Sequence, residues 1–120
     1  KANVVPDERT WLRGWAEGVR SYCTPRQAWR AGLSDYSYSG ACRDLNETLF
    51  LRYYDAGKAA YKTRKERESI QHDIGKAEDE LKKADKDDVR KALREKIRRL
   101  DDEYARLGRQ LDRQLREEPR

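Results

Sequence analysis

The sequence predicts an all-α protein, with a disulfide-braced head of short helices followed by an antiparallel, coiled-coil-like helical hairpin. Helix-start patterns recur through the first half of the chain. Ten of the eleven aromatic residues also lie there, between residues 11 and 61. In the second half, apolar residues alternate spacings of three and four, as they do in coiled coils. We therefore divide the chain into an aromatic- and glycine-rich head, residues 1–61, and a charged hairpin, residues 62–120.

Two helices are predicted at the beginning of the head. The first covers residues 6–22, starting at a proline–aspartate pair. The second is short and starts at Thr24, whose hydroxyl can cap it, with Pro25 at the first helical position and Gln27 completing a capping box. A loop rich in tyrosine and serine follows over residues 33–42, and we call it the tyrosine loop.

A third helix is predicted from the sequence Asp-Leu-Asn-Glu at residues 44–47. Asp44 can cap this helix while Glu47 reaches back to the cap, which is the same capping-box pattern. Beyond this start, no proline interrupts the chain until Pro119.

The hairpin is predicted from two apolar seams that are out of phase with each other. The seam residues are Ile70, Ile74, Ala77, Leu81 and Ala84, and then Leu93, Ile97, Leu100, Tyr104, Leu107 and Leu111. The phase break falls near residues 84–88, where Asp85 or Asp87 can cap a new helix. We therefore predict a turn at this point and two antiparallel helices, rather than one long rod.

The head also contains a repeat in which an aromatic residue, a glycine and a second aromatic residue have helical spacing. Three copies of aromatic-x-x-Gly-x-x-x-Tyr cover residues 15–22, 29–36 and 54–61. Positions i, i+3 and i+7 share one face of a helix, so a glycine beside two rings allows close helix packing. An aromatic ligand pocket is the less favoured alternative. The residues assigned to this packing are Trp15, Gly18, Tyr22, Trp29, Gly32, Tyr54, Gly57 and Tyr61.

The charge distribution disfavours nucleic-acid binding. The net charge is +5 and the pI is about 9.3, but charged residues make up 42% of the chain and both signs are mixed in each half. A nucleic-acid binder more often concentrates its basic residues on one face. The mixed charge is instead typical of solvated coiled-coil surfaces.

The two cysteines, Cys23 and Cys42, leave three chemical possibilities open. A zinc site needs about four ligands, and the chain has a single histidine, His72, far from both cysteines in sequence. A nucleophilic cysteine needs a base nearby, and only His72 is available. A disulfide is the favoured alternative, and closing a loop of this length contributes about 3 kcal/mol in the chain-entropy argument. It would indicate an oxidising compartment.

Three segments carry a resemblance to a known family. Tyr-Cys-Thr-Pro occurs at Tyr22–Pro25, Tyr-Ser-Gly-Ala-Cys at Tyr38–Cys42, and Phe-x-x-x-Tyr-x-x-Gly-x-x-x-Tyr at Phe50–Tyr61. With the charged tail that follows, the chain resembles the domain-of-unknown-function (DUF) 2799 family of small Gram-negative lipoproteins. The resemblance implies a precursor with a signal peptide and a lipidated N-terminus outside this chain. It also implies a periplasmic location with anchoring to the outer membrane. It implies no chemistry.

These observations predict a non-catalytic envelope protein that binds a protein partner or acts as a scaffold, with self-association also open. The candidate partner-binding residues are Tyr36, Tyr38, Tyr104 and Leu111. An enzyme inhibitor, or an enzyme that uses the tyrosine loop, is the alternative, and nucleic-acid binding ranks below both. We nominate no catalytic residue, metal ligand or cofactor, and we expect membrane association only through the N-terminal lipid.

Overall fold

The computed structural model describes residue 15 and residues 17–120, and every regular element in that part of the chain is helical. The predicted start of the first helix, at residues 6–7, lies outside the described residues. We label four helices in chain order. They are α1, described over residues 17–22 with Trp15 also helical, α2 (Pro25–Leu33), α3 (Glu47–Lys83) and α4 (Asp87–Leu115). None of these helices has the length and apolar character needed to cross a membrane.

Helix α2 begins as the sequence predicts. The side chain of Thr24 accepts a hydrogen bond from the backbone N–H of Gln27 at 3.3 Å, and Pro25 occupies the first helical position. The hydroxyl satisfies a backbone donor that has no partner inside the helix, and the proline has no N–H to satisfy. The Thr24 cap and the position of Pro25 are confirmed, whereas the N–H of Thr24 donates to the Tyr22 carbonyl at 2.9 Å rather than to the Gln27 side chain that was expected to complete the capping box.

Helix α3 begins differently from the prediction, at Glu47 rather than next to Asp44. Asn46 adopts a left-handed backbone conformation, with φ of 55°, and its carbonyl accepts the first helical hydrogen bond from Phe50 at 3.2 Å. A left-handed residue cannot continue a right-handed helix, so Asp44 lies outside the helix and cannot cap it. The predicted capping box at residues 44–47 is therefore wrong.

The hairpin consists of α4 and the part of α3 that follows the head. The helices are interrupted at residues 84–86, within the predicted turn. Lys86 occupies the cap position of α4 and its side chain makes no capping hydrogen bond, so neither Asp85 nor Asp87 plays the predicted capping role. The Arg90 guanidinium instead bonds across the turn, because it donates to the carbonyl of Leu81 in the last turn of α3 and to the carbonyl of Ala84 just after the helix.

Side-chain contacts between the two hairpin helices establish their antiparallel register. Near the turn, Arg90 donates to the carbonyl oxygen of Leu81 at 2.8 Å. Further away, Arg67 Nε donates to the Tyr104 carbonyl oxygen at 3.3 Å. Still further, the Gln110 amide donates to the hydroxyl of Thr63 at 3.2 Å, and Thr63 is buried. The seam thus continues towards the head beyond the apolar residues that predicted it.

The described residues form two compact units. One contains the described residues up to Lys58 together with Glu117–Arg120, and the other is Ala59–Arg116. The first unit has a small aromatic core, and the Cys23–Cys42 disulfide is present in it. The buried core residues are Ala28, Ala31, Cys42, Phe50 and Tyr54, with Tyr22, Cys23, Tyr38, Leu51 and Tyr53 packed against them. The predicted fold class, a disulfide-braced helical head and an antiparallel hairpin, is confirmed.

Candidate functional site

The tyrosine loop begins where α2 ends, and the geometry of that end determines the path of the loop. Asp35 adopts a left-handed conformation with φ of 57°. Its N–H donates to the Gly32 carbonyl at 3.0 Å, and the N–H of Tyr36 donates to the Ala31 carbonyl at 2.9 Å. This pair of bonds is a Schellman motif, which satisfies the last carbonyls of a helix and usually has glycine in the left-handed position. Aspartate tolerates this conformation better than most residues do.

Tyr36 has a fixed backbone and an exposed ring. Its N–H is bonded to α2, and its carbonyl accepts a hydrogen bond from the hydroxyl of Tyr54, a buried residue of α3. Its side chain is nevertheless 66% exposed, which makes it the most exposed of the large hydrophobic residues in the described part of the chain. The loop therefore presents this ring to solvent on a backbone that is held on both sides.

Tyr38 is half-buried and packs against the core of the head. Its ring lies 5.0 Å from the Phe50 ring and 6.0 Å from the Tyr54 ring, measured between centroids. Its hydroxyl donates to Glu47 Oε2 at 2.5 Å and accepts from the backbone N–H of Cys42 at 2.9 Å. The partner-contact role of Tyr38 stays a prediction, although its hydroxyl and part of its ring are engaged inside the protein.

The environment of Tyr38 also changes its acidity. Burial raises the pKa of the Tyr38 phenol above its ordinary value of 10.0, and the hydrogen bond to Glu47 raises it further. The bond from the Cys42 N–H acts in the opposite direction but is smaller. Tyr38 therefore keeps its proton, which it needs in order to donate to the Glu47 carboxylate.

The other two candidate contact residues lie in the hairpin. The Arg67 guanidinium lies over the ring of Tyr104, 3.9 Å from its centroid, so one face of that ring is covered. The guanidinium fits because residue 108 is glycine, where an added Cβ would lie 2.8 Å from Arg67 Nη2. Leu111 is half-buried on α4. Neither side chain is exposed in the way that Tyr36 is.

The glycine repeat contains one close helix contact. A Cβ built on Gly32 would lie 2.2 Å from the Tyr54 carbonyl oxygen, and one built on Gly57 would lie 2.5 Å from the Trp29 carbonyl oxygen. Because these neighbours are backbone atoms, α2 and α3 can cross this closely only with glycine at both positions. Trp29 and Tyr54 beside this crossing are buried.

The remaining repeat residues do not form an equivalent contact. Gly18 is exposed, and a Cβ built on it would meet no described atom within 4 Å, so the described residues show no close packing at this position. Trp15 is 60% exposed. Tyr22 packs on Phe50 with ring centroids 5.3 Å apart, and Tyr61 is half-buried with the Lys65 ammonium 5.6 Å from its ring centroid.

A small hollow of about 200 Å³ lies beside α1 in the head. It is lined by Trp15, Val19, Arg20, Ala41, Asp44 and Leu45. Its lining is mainly apolar, with one cation and one carboxylate, and it contains no nucleophile–base pair. Across the described residues, no group of three His, Cys, Asp or Glu side chains is arranged to hold a metal ion.

The family model DUF2799, described as a protein of unknown function, matches residues 1–59. Residues 1–59 belong to the DUF2799 family. No curated protein and no solved structure matches the chain. The DUF2799 segment contains the disulfide, the aromatic core and the whole tyrosine loop, so the residues that position Tyr36 lie inside the matched part of the chain.

The sequence did not predict the two hydrogen bonds that hold the tyrosine loop within the DUF2799 segment. The bond from Tyr38 to Glu47 replaces the expected capping role of that glutamate. The bond from Tyr54 to the Tyr36 carbonyl joins residues that are far apart along the chain. Neither bond has a fixed spacing or a characteristic motif, so the only available signal was the enrichment of tyrosine in the head.

Proposed function

We propose that this chain is a non-catalytic protein-binding domain of the bacterial envelope and that Tyr36 is its central contact. The observation that supports this proposal is the combination of an exposed ring and a fixed backbone at one residue. A tyrosine left in water gains nothing from packing, whereas at an interface it offers apolar area and a polar tip.

The rigid attachment of Tyr36 favours recognition. Binding normally costs free energy because loops and side chains lose conformational freedom, at about 0.5–1.5 kcal/mol for each immobilised side chain. Here the backbone on both sides of the ring is already ordered by the Ala31 and Tyr54 hydrogen bonds. Only the two side-chain torsions of the ring remain to be fixed, which is the property that makes tyrosine frequent in binding loops.

The disulfide supports a location in an oxidising compartment, because such bonds are rare in the reducing cytosol. Together with the resemblance to small Gram-negative lipoproteins, it supports a periplasmic protein whose precursor carries a signal peptide. In this proposal, an N-terminal lipid outside the chain anchors it to the outer membrane, and the partner is another envelope protein.

The proposal is tested by partner capture through Tyr36. A photo-crosslinking amino acid at position 36 should capture a partner in the native envelope, and Tyr36→Ala should weaken binding of that partner at least about tenfold. Val89 supplies the matched control, since it is 43% exposed and lies on α4, away from the loop in sequence. Val89→Ala should leave binding unchanged.

Two results would reject this function. Equal loss of binding in Tyr36→Ala and Val89→Ala would show that the loop is not the contact. A Tyr36→Ala variant that unfolds at a much lower temperature would show that the ring is structural. If the captured partner is an enzyme whose activity this chain lowers, the protein-binding function is enzyme inhibition.

A further inference from the structure

One face of the hairpin carries a continuous groove. Two open hollows of about 420 and 400 Å³ lie along it, and they share Glu78 and Asp101 as lining residues. The apolar residues in this lining belong to the hairpin seam and are only half-buried. They are Ile74, Leu81, Ile97 and Tyr104. We call this feature the hairpin groove.

The other residues that line the hairpin groove include both signs of charge. They are Gln71, Gly75 and Glu78 on α3, and Arg94, Arg98 and Asp101 on α4. Gly75 leaves an opening in this lining, since a Cβ built there would meet no described atom within 4 Å. At 1.5 Å per helical residue, the groove from Gln71 to Leu81 is about 15 Å long.

The charges are distributed unevenly along the groove. Glu78 lines the same hollow as Arg94 and Arg98, nearer the turn. Further from the turn, Gln71 and Gly75 line the second hollow together with Asp101. Both carboxylates line both hollows, whereas the two guanidinium groups line only the hollow nearer the turn and the Gln71 amide lines only the other. Glu78 on α3 can therefore bond to the guanidinium groups of α4, and Asp101 on α4 can bond to the amide of α3.

From this pattern we infer that the hairpin groove binds a second copy of this chain, with the turns of both hairpins at the same end. The dimer axis runs parallel to the helices, so that α3 of each copy faces α4 of the other. A residue of α3 and a residue of α4 that lie at the same height in one hairpin then also face each other between the two copies. The inference does not depend on the proposed role of Tyr36.

In this arrangement, the facing charges are complementary. Glu78 meets Arg94 and Arg98 of the second copy, and Asp101 meets Gln71 of the second copy beside the opening at Gly75. Two-fold symmetry forms each contact twice. Charge pairing of this kind selects the partner and its orientation.

The opposite arrangement, with the turns at opposite ends, is disfavoured. It lays α4 against α4 and brings the two copies of Arg98 close to the dimer axis. It also leaves Glu78 facing α3 of the second copy, where the lining contains no cation. Like charges facing each other across an interface are unfavourable, so the charge pattern distinguishes the two orientations.

The first test is molecular mass against concentration, measured by sedimentation on the oxidised 120-residue chain. The groove is short compared with stable protein interfaces, so we expect a weak dimer that forms between about 10 µM and about 1 mM. A chain that remains monomeric at about 1 mM would overturn the inference. If crosslinkers on groove residues of such a monomer captured another protein, the groove would belong to a partner helix instead.

Charge reversal provides the decisive variants. Glu78→Arg alone, and Arg94→Glu with Arg98→Glu, should each weaken self-association at least about tenfold, because each places like charges opposite each other. An equal mixture of the two variants should associate again, since the reversed charges then face their opposites. Glu80→Arg is the matched control, because Glu80 is exposed on the same helix but does not line the groove.

Far-ultraviolet circular dichroism shows whether each variant keeps its helices. Folded variants that associate as strongly as the wild type, or a mixture that fails to associate, would overturn the inference. Orientation is tested with a short bis-maleimide linker. A mixture of Gln71→Cys and Asp101→Cys chains should crosslink between chains, whereas Gln71→Cys alone should not. Crosslinking of Gln71→Cys to itself would reject the same-end arrangement.

Discussion

At the scale of single residues, two tyrosine hydroxyls hold the backbone of the tyrosine loop. Tyr54 bonds to the carbonyl of Tyr36, and Tyr38 bonds to both Glu47 and the N–H of Cys42. The hydroxyls thus link residues on both sides of the loop to α3. A hydrogen bond to a charged group typically contributes about 1.5–3 kcal/mol, so the bond to Glu47 is the stronger type.

The raised pKa of Tyr38 predicts a loss of stability at high pH. Because the folded state binds this proton more tightly than the unfolded state does, the contribution is complete below pH 10 and is lost as pH rises through the higher folded pKa. Tyr38→Phe removes the bond and its titration. Denaturant unfolding should therefore show the variant less stable than wild type at pH 8, with a smaller difference at pH 11. A difference that stays constant or grows would contradict the raised pKa.

Glycine positions show what a sequence motif can and cannot predict. The same spacing motif includes Gly18, Gly32 and Gly57, yet among the described residues only the last two lie at the crossing of two helices. The motif establishes that a ring and a glycine share one helix face. It does not say whether another helix passes over that face, which depends on the path of the intervening loops. Tyr36 and Tyr38 differ for the same reason, since one faces solvent and the other faces Phe50.

At the scale of elements, the contact between α2 and α3 brings two helix backbones together at Gly32 and Gly57. Gly57→Ala would place a Cβ 2.5 Å from the Trp29 carbonyl oxygen and 2.9 Å from the Leu33 nitrogen, so the helices must separate. We expect a loss of about 1–3 kcal/mol in the free energy of unfolding, as for other overpacked sites. Thermal or denaturant unfolding measures this loss.

Gly75→Ala provides the matched control within the same helix. It meets no described atom, so the gain in helix propensity should stabilise the chain by about 0.5–1 kcal/mol. Unfolding should be followed in dilute solution, where self-association does not contribute. Equal effects of the two substitutions would mean that α2 and α3 are not in backbone contact.

Capping shows how far local rules predicted the helix ends. Thr24 caps α2 as its pattern predicts, and its hydroxyl accepts from the N–H of Gln27. Around Asp44 the same type of pattern fails, since Asn46 is left-handed and Glu47 is engaged by Tyr38. At the hairpin turn, the acidic caps are absent, and the guanidinium of Arg90 bonds to the exposed carbonyls at the end of α3. Long-range contacts replaced the local signal in both cases.

At the scale of the whole molecule, the sequence predicted the helical class, the disulfide and the antiparallel hairpin because each depends on repeated or chemically distinct residues. It did not predict that Thr63 and Arg67 continue the hairpin seam. The seams were predicted from the spacing of apolar side chains, and neither residue is apolar. Thr63 is buried with its hydroxyl bonded to Gln110, and the Arg67 guanidinium lies over the ring of Tyr104. Polar residues that pair between two helices cannot be recognised from the sequence pattern of either helix alone.

Removal of the disulfide tests how much the head depends on it. Cys23→Ala combined with Cys42→Ala should lower the free energy of unfolding by about 2–5 kcal/mol, as is typical for small domains. Cys42 is fully buried in the aromatic core, so the loss includes packing as well as loop closure. Mass spectrometry of the untreated wild type should show the oxidised form. Two alkylatable thiols in protein from its native compartment would contradict this expectation.

The same disulfide has a consequence for how the chain matures. Four cysteines can pair in three ways, but these 120 residues contain two, so only one intramolecular bond can form. Within these residues, an oxidant is then sufficient, and there is no alternative intramolecular pairing for an isomerase to correct. Reduction of the disulfide should also favour attack at one of the two sulfurs, because Cys42 is fully buried while Cys23 is partly accessible. A reducing thiol would therefore form its mixed disulfide with Cys23, and Cys42 would be the leaving thiol.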